Sequence, residues 1–418
     1  MTKDCFVFIY LPGRIEAIPA GKLTLADDSA AFAYGRRYLQ NPAQIPVDPI
    51  LLPLNERTII LDPEKLGAIR DSAPDYWGRR VIEYARGRES LSEIDYFLGE
   101  NACRTGNLDF RSGPSAPESP FGPPGAATLE DLMEVAEAIE KDLPLDSIRQ
   151  DLLKLLEHGT SIGGARPKTT ILDGPDMWIA KFPSKHDRWS NGRVEAATMF
   201  LAGQCGIRIP EIKILSFAGR DVFLIRRFDR EFENQGWTRK GYMSGLSLLG
   251  IGEGERDRYS YLGLADRMRQ HGMSGQLDEL FKRMVFNIIC RNTDDHPRNH
   301  GFLLENREMS LSPAFDVTPA PVRPGLSTIA YQAMIAGTLS GREASLNNAL
   351  SACLRFGLNR EEAEKIIMDM IRSCLNQWEA CFAGVSSGDK EIFAHTFERW
   401  RRDYDDPDKN KRFSEPSP

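Results

Sequence analysis

The sequence predicts an α+β protein: a β-rich N-terminal module, then a strand-rich stretch that gives way to a long helical one. Three observations lead there. A Pro-, Gly- and Ser-rich segment, residues 112–127, divides the chain. Apolar and β-branched runs bounded by turn residues fill 169–228. Apolar residues at helical spacing then dominate from Tyr259 to Trp400. The 418 residues suffice for two or three domains at roughly 150 residues each. A hydrophobic fraction of 41% with 27% charged residues is ordinary for a globular chain and excludes bulk disorder and collagen-like fibre.

Each element follows in chain order. Phe6–Tyr10 reads as a buried strand ending at the turn Pro12-Gly13, and Lys22–Leu25 as a second short strand. Pro42, Pro46, Pro49 and Pro53 mark an irregular stretch that cannot be helical. Helical spacing returns from Glu64, with Tyr76, Trp77, Val81, Ile82 and Tyr84 supplying apolar mass. Residues 112–127 cannot bury a core and read as a linker or wandering surface loop. Leu129, Leu132, Val135, Ala136 and Ile139 then define an amphipathic helix. A second helix is expected after Asp146 and carries Ile148, Leu152, Leu153 and Leu156. Thr169–Leu172 and Met177–Phe182 form a hairpin across Asp173-Gly174-Pro175-Asp176. Asn191–Cys205 reads as a helix with Val194, Ala197, Phe200 and Leu201 on one face, and Glu211–Phe217 and Val222–Phe228 as another strand pair. The helical remainder is interrupted by an irregular region, 292–330, and no solenoid-period repeat is present. Strands followed by a larger helical part point to two lobes with a cleft between them, where ligand sites preferentially lie.

Composition narrows the function classes. Lys+Arg 53 against Asp+Glu 60 gives a net charge of −7, which argues against a protein whose main task is coating nucleic acid. Cys5, Cys103, Cys205, Cys290, Cys353, Cys374 and Cys381 are odd in number and form no C-x-x-C pair. A disulfide framework or zinc ribbon is therefore not expected, and a reducing compartment fits better. The N-terminus does not read as a signal peptide, and the charge-free stretch Pro324–Gly341 is too broken by polar and turn residues to span a membrane. The expected setting is the cytoplasm.

Three clusters could carry chemistry. In Ser161-Ile-Gly-Gly-Ala-Arg-Pro-Lys168, adjacent glycines let backbone N–H groups approach an anion and Lys168 adds charge. The Walker A spacing is absent, and a flexible turn before a strand would look the same. Lys181 lies in a strand and Glu195 on the next helix; such a Lys can hold phosphates and such a Glu can fix it, although both residue types are common on solvated faces. In Arg291–Asn299, Asp294 and Asn299 stand five apart, the spacing of base and metal-binding Asn in protein-kinase catalytic loops, and Asp316 follows among apolar neighbours. Phosphoryl transfer needs a carboxylate at the acceptor hydroxyl and oxygen ligands for Mg²⁺. The order of the clusters, glycine-rich loop, strand Lys, helix Glu, D-x4-N and lone Asp, is more informative than any one of them. A zinc site from Asp294, Asp295, His296 and His300 is the competing reading, weakened by Pro297 and the lack of a further ligand.

With these residues in view, the chain resembles the HipA family of serine/threonine kinases, the toxin half of bacterial toxin–antitoxin pairs. The resemblance runs from about Phe6 to Trp400. Before residue 112 it is carried by LPG (Leu11–Gly13), AGKLTL (Ala20–Leu25), FAYGRRYL (Phe32–Leu39), APDYWGRRVIE (Ala73–Glu83) and RTGNLDFR (Arg104–Arg111). Beyond it come SIGGARPK, WIAKFP, LIRRFDR (Leu224–Arg230), NTDDHPRNHGFLL (Asn292–Leu304) and LSPAFDV; TDDHPRNH with the following FD is the most specific.

The resemblance implies a bilobal protein-kinase-like domain with a large helical C-terminal lobe behind the N-terminal module. The corresponding boundaries are a module over 1–111, a linker or loop over 112–127, a kinase N-lobe over 128–228, a helical C-lobe over 229–405 and a polar tail over 406–418. It implies ATP and Mg²⁺ as cofactors, Asp294 as catalytic base, and Asn299 and Asp316 as metal ligands. Nucleotide contacts fall on Ile162, Gly163, Gly164, Ala165, Arg166, Lys168, Lys181, His296 and Asn299, with Arg226, Arg227 and Phe228 receiving the adenine. Family members can carry an acidic residue where Arg226 stands, so contacts there would be made by the backbone. Ser161 is implied as an autophosphorylation site, where nearly two added negative charges would eject the loop from ATP and inactivate the enzyme. The implied partners are a protein substrate and a HipB-like helix-turn-helix antitoxin, with DNA reached only through the antitoxin complex and no membrane. Two alternatives stay open: a small-molecule or lipid kinase, and a non-catalytic co-regulator in an antitoxin–DNA complex.

Overall fold

A computed structural model describes residues 3–87, 91–99, 103–118, 122–125, 128–145, 148–160, 163–217, 219–233, 236–322 and 330–401. The architecture is mixed α/β, with β-sheets in the N-terminal part and a helical C-terminal region. Two compact units divide it, and neither is one continuous stretch. The first holds 1–187, 211–252 and 302–308; the second holds 188–210, 253–301 and 309–418.

The first unit opens with an antiparallel sheet ordered β4-β3-β2-β1-β5, made of β1 (Lys3–Tyr10), β2 (Ala17–Ala26), β3 (Ser29–Tyr34), β4 (Ile59–Leu61) and β5 (Leu108–Arg111). Cys5, Val7 and Ile9 on one face of β1 are wholly buried, as a period-2 strand with one face on a core requires; past a register shift between Val7 and Phe8 the other face is covered too, with Phe8 and Tyr10 buried. The expected strand at Lys22–Leu25 lies inside the longer β2. Gly21 is fixed by close approach, since a Cβ there would stand 2.5 Å from the Ala33 carbonyl oxygen and the Phe32 ring. The proline-marked stretch after α1 (Arg36–Leu39) has no helix and hangs on Asp48. That buried carboxylate accepts the backbone N–H groups of Ile50 (2.7 Å), Leu51 (2.8 Å) and Ala68 (2.9 Å).

Helical structure then returns in α2 (Ala68–Asp71), α3 (Tyr76–Ala85) and α4 (Glu93–Phe97). Trp77, Val81, Ile82 and Tyr84 are buried as expected. Tyr76 is not: it opens α3 and is 62% exposed. A second antiparallel sheet, ordered β6-β7-β9-β8, comprises β6 (Lys168–Asp173), β7 (Asp176–Lys181), β8 (Ile212–Phe217) and β9 (Arg220–Arg226). Its inner face shares one core with α3, α5 (Leu129–Glu140) and α6 (Gln150–Gly159). Ile148 is buried just ahead of α6 instead of within it, and Asp146 lies outside the described residues.

The segment after β5 is anchored at both ends. Tyr10 Oη donates to Glu118, and Leu172 N–H donates to the Pro124 carbonyl at 2.8 Å. Residues 119–121 and 126–127 lie outside the described residues. A hairpin of β10 (Arg230–Glu233) and β11 (Gly236–Arg239), then β12 (Gly241–Ser244) and α8 (Gly245–Leu249), complete this stretch, and β13 (Gly301–Glu305) is a neighbour of β12.

In the second unit, α7 (Asn191–Gln204) is accompanied by α9 (Tyr261–Gln270), α10 (Leu277–Ile289), α11 (Leu346–Leu350), α12 (Arg360–Cys381) and α13 (Ser387–Glu398). Helix α12 starts at a capping box, in which Asn359 and Glu362 reciprocally satisfy each other's backbone N–H. Two sequence readings need correction. On α7, Val194, Ala197 and Leu201 are buried, but Phe200 is 46% exposed; six residues beyond Val194 it has rotated about 120° off that face. The region 292–330 is not wholly irregular, since β13 and β14 (Glu308–Leu311) lie within it. Asn306 and Arg307 link them with left-handed φ of 50° and 70°, the geometry of a tight turn between strands. Among the described residues no helix is long and apolar enough to cross a membrane. All seven cysteines are free, and Cys5, Cys103, Cys290, Cys353 and Cys374 are buried.

Candidate active site

In the first unit the glycine-rich segment is built against α3. Gly164 N–H donates to Asp75 Oδ2 at 3.0 Å, and Trp77 N–H donates back to the Gly164 carbonyl at 3.3 Å. Trp77 Nε1 donates to the Lys168 carbonyl at 2.9 Å, so one tryptophan holds both ends of the turn. Gly164 has φ of 110°, and a Cβ there would lie 2.5 Å from Lys168 Nζ. Glycine is therefore needed for its backbone angle, and its missing Cβ leaves the room that the Lys168 ammonium occupies. That ammonium donates to the Gly163 carbonyl at 2.7 Å. Arg166 turns outward to Asp187, with contacts of 2.5 and 2.7 Å, next to Ala165. Ser161 and Ile162 lie outside the described residues.

Lys181 closes β7 and pairs directly opposite Lys168 on β6, with Phe223 of β9 on its other side. Both lysines are buried, and the Lys181 ammonium stands 6.0 Å from the Phe223 ring centroid. Two ammonium groups on directly opposed strand positions supply the positive charge that a phosphate requires. Gly163-Gly164 beside two buried lysines thus has the chemistry of a phosphate cradle.

The three positions at the end of β9 separate. Arg226 is exposed and ion-paired to Asp176 at 2.6 Å, while its backbone N–H donates to the Glu211 carbonyl. Phe228 is half-buried. The Arg227 side chain is engaged inside the protein: it donates to Asp229 (2.9 and 2.7 Å), to the Cys103 carbonyl (2.7 Å) and to the Arg104 carbonyl (3.0 Å). Arg230 joins the same knot through Asp229 and the Gly106 carbonyl, and Gly106 N–H donates to Asp229 at 2.9 Å. Burial alone would raise the Asp229 pKa, but Arg227 and then Arg230 hold it well below the usual carboxylate range. RTGN and RRFDR, read separately in the sequence, are one buried ion cluster.

In the second unit, α10 delivers the chain into the loop 292–300. Arg291 takes a left-handed φ of 58° after the helix, and Pro297 opens a short 3₁₀ turn, Pro297–Asn299, as proline at a first helical position does. The adjacent acids have opposite environments. Asp294 is exposed, and its carbonyl accepts His296 N–H (2.8 Å) and Asn299 Nδ2 (3.4 Å). Asp295 is buried, and its Oδ2 accepts from Tyr261 Oη, from Asn287 Nδ2 at 2.8 Å and from His300 Nε2 at 3.1 Å. Asp295 Oδ2 is engaged by three protein donors, and the zinc reading of Asp294, Asp295, His296 and His300 is not supported. Among the described residues no three His, Cys, Asp or Glu side chains gather as a metal site.

Asn299 is buried except for its edge, and His296 Nδ1 is a buried polar atom without a partner among the described residues. Asp316 has φ of 58° and is neither a helix cap nor a hairpin residue. Backbone strain of this kind clusters at functional sites. An amide oxygen and a carboxylate are hard donors that suit Mg²⁺, which keeps several waters and few protein ligands. Glu195 lies buried on α7. Tyr261, Asn287 and His300 were not singled out by motif spacing as supports. The one available signal was Asn287, a polar residue on the apolar face of α10.

Comparison with known proteins follows the same line. The model of the HipA-like C-terminal domain matches residues 160–378. A Haemophilus influenzae protein described as "Putative kinase" is 28% identical over 239 residues, covering 51% of this chain and 66% of that protein, just under two thirds of its length. A solved Shewanella oneidensis MR-1 structure of toxin–antitoxin HipA with HipB and operator DNA has the same fold, with TM-score 0.68 and 15% identity over 96% of this chain and 97% of that one.

Proposed function

This chain belongs to the family of HipA-like C-terminal domains, and from that premise we propose that it is an ATP-dependent kinase that phosphorylates Ser or Thr of a protein target, as a cytoplasmic toxin of a toxin–antitoxin pair. The observation that carries the reading is the contrast between neighbours: Asp294 presents an exposed carboxylate on a loop whose backbone is fixed by buried Asp295. A general base needs that combination of reach and fixed position.

In this reading Gly163, Gly164, Lys168 and Lys181 hold the nucleotide phosphates, with the absent Cβ of Gly164 leaving the space and the two lysines the charge. Backbone groups of Arg226 to Phe228 receive the adenine. The Arg227 guanidinium is engaged with Asp229 and fixes the segment from within. Asp294 accepts the proton of the attacking hydroxyl and orients its oxygen. Asn299 and Asp316 would hold Mg²⁺, which neutralises charge on the transferring phosphoryl when bound. His296 Nδ1 is a spare polar atom beside that loop. Turnover on a good substrate should be on the order of 1–100 s⁻¹. Ser161 remains the proposed site of self-inactivation.

A HipB-like antitoxin is the proposed partner, supported by the fold shared with the Shewanella oneidensis chain solved with HipB and operator DNA. The net charge of −7 fits a chain that reaches DNA through that partner. The test is transfer of labelled γ-phosphate from Mg-ATP to a cell extract, with Asp294→Ala as control. The reading predicts acid-stable label on Ser or Thr of protein, absent with the variant. Label confined to lipid or small molecules would overturn the acceptor class, and equal labelling by the variant would overturn the role of Asp294.

A further inference from the structure

The proposed metal ligands Asn299 and Asp316 sit on separate segments, and one helix of the second unit grips both. Arg283 and Asn287 are four apart on α10, hence neighbours on one face. They are buried polar residues within a helix whose buried surface is otherwise almost wholly apolar. Asn287 reaches the first segment: it donates to Asp295 Oδ2 at 2.8 Å, and its Oδ1 accepts from Asn292 Nδ2 at 3.1 Å. Arg283 reaches the second: its Nη2 donates to the Ser312 carbonyl at 2.6 Å, four residues before Asp316.

Each grip is itself supported. Glu279 accepts from Arg283 Nε (3.1 Å) and Nη2 (3.0 Å), and also from Arg208 N–H (3.2 Å). The Arg208 carbonyl in turn accepts Ala314 N–H at 2.8 Å, two residues from Asp316. Ser312 N–H donates to the Gly301 carbonyl at 2.8 Å, tying the two segments directly. Between them is a cavity of about 10 Å³, lined by Arg283, Asn287, Asn299, His300, Ala314 and Phe315. It is no larger than one water, so Arg283 and Asn287 border both ligand-bearing segments with little free space between.

We propose that Arg283 and Asn287 are positioning residues that set the spacing of Asn299 and Asp316, and so determine the affinity of the site for a divalent cation. Neither touches substrate; each acts through the segment it holds. The inference rests on the kinase reading, since it concerns the ligands named there. Supports of metal ligands typically change affinity by 10- to 100-fold when removed.

The experiment follows the loss of the free Mn²⁺ electron-resonance signal on titrating the full chain with a non-hydrolysable ATP analogue present. Wild type, Arg283→Met, Arg283→Lys and Asn287→Ala are compared, with metal-free nucleotide affinity measured on the same samples. Asn287→Ala and Arg283→Met should each raise the Mn²⁺ Kd about tenfold while metal-free nucleotide affinity stays within about twofold, and Arg283→Lys should recover part of the loss. Where Arg283→Met does not fold, Arg283→Lys and Asn287→Ala carry the comparison. Folded variants that bind Mn²⁺ as wild type does would overturn the positioning role alone. A wild-type chain that binds neither nucleotide nor Mn²⁺ would remove the kinase reading, and the positioning role with it.

Discussion

Asp294 and Asp295 are adjacent in sequence and opposite in circumstance. Asp294 is exposed, so its loss should leave stability within about 0.5 kcal/mol of wild type. Asp295 satisfies a hydroxyl, an amide and an imidazole inside the protein. Replacing it with Ala strands those groups and should cost about 3 kcal/mol, read as a lower urea midpoint. Similar urea curves for the two Ala variants would contradict this division. The sequence made Asp294 legible through its spacing to Asn299. It left Asp295 ambiguous, because a buried acceptor and a ligand look alike until their partners are known. Tyr261 is 34 residues from Asp295, so no local pattern connects them.

At the scale of elements, two structures join segments far apart in the chain. The glycine turn is held by α3, and Gly164→Ala would place a Cβ on the Lys168 ammonium at an unfavourable φ. The expected result is at least about tenfold weaker nucleotide binding by calorimetry, for a displacement costing about 1.4 kcal/mol, and unchanged affinity would contradict the cradle. The buried Asp229 cluster is the second. Asp229→Ala leaves two buried guanidinium groups without their carboxylate and should destabilise by about 3–5 kcal/mol. Its pH dependence has a definite sign. A carboxylate whose folded pKa is depressed stabilises above its unfolded pKa of about 3.9, and that contribution disappears as pH falls toward the folded value. Acid unfolding should therefore lose part of its steepness below about pH 4 in Asp229→Asn; superimposable acid curves would refute it. Periodicity gave most strands and helices of these parts, because half-buried elements print their burial on the sequence. It missed β3, β5 and the β10–β11 hairpin, whose strands run only four to six residues.

For the whole molecule, the order of elements was readable but the assembly of the units was not. Residues 211–252 and 302–308 return to the first unit after the chain has entered the second, and no composition shift marks those crossings. Charge also belongs to this scale. With a net charge of −7, the isolated chain should bind operator DNA weakly and with little sequence preference. The same chain mixed with the proposed helix-turn-helix partner should shift operator DNA at far lower concentration in a gel assay. Tight, specific binding by the isolated chain would contradict the proposed division of labour.

In the proposed mechanism Asp294 serves phosphoryl transfer and not nucleotide binding. This role is tested most directly by measuring Mg-ATP affinity and phosphate transfer on the same preparations of wild type and Asp294→Asn. The expected affinities agree within about twofold, and the transfer rate of the variant is lower by about 10²–10⁴, the usual contribution of a general base. Equal transfer by the two proteins, or a wild type that binds no nucleotide, would contradict this role.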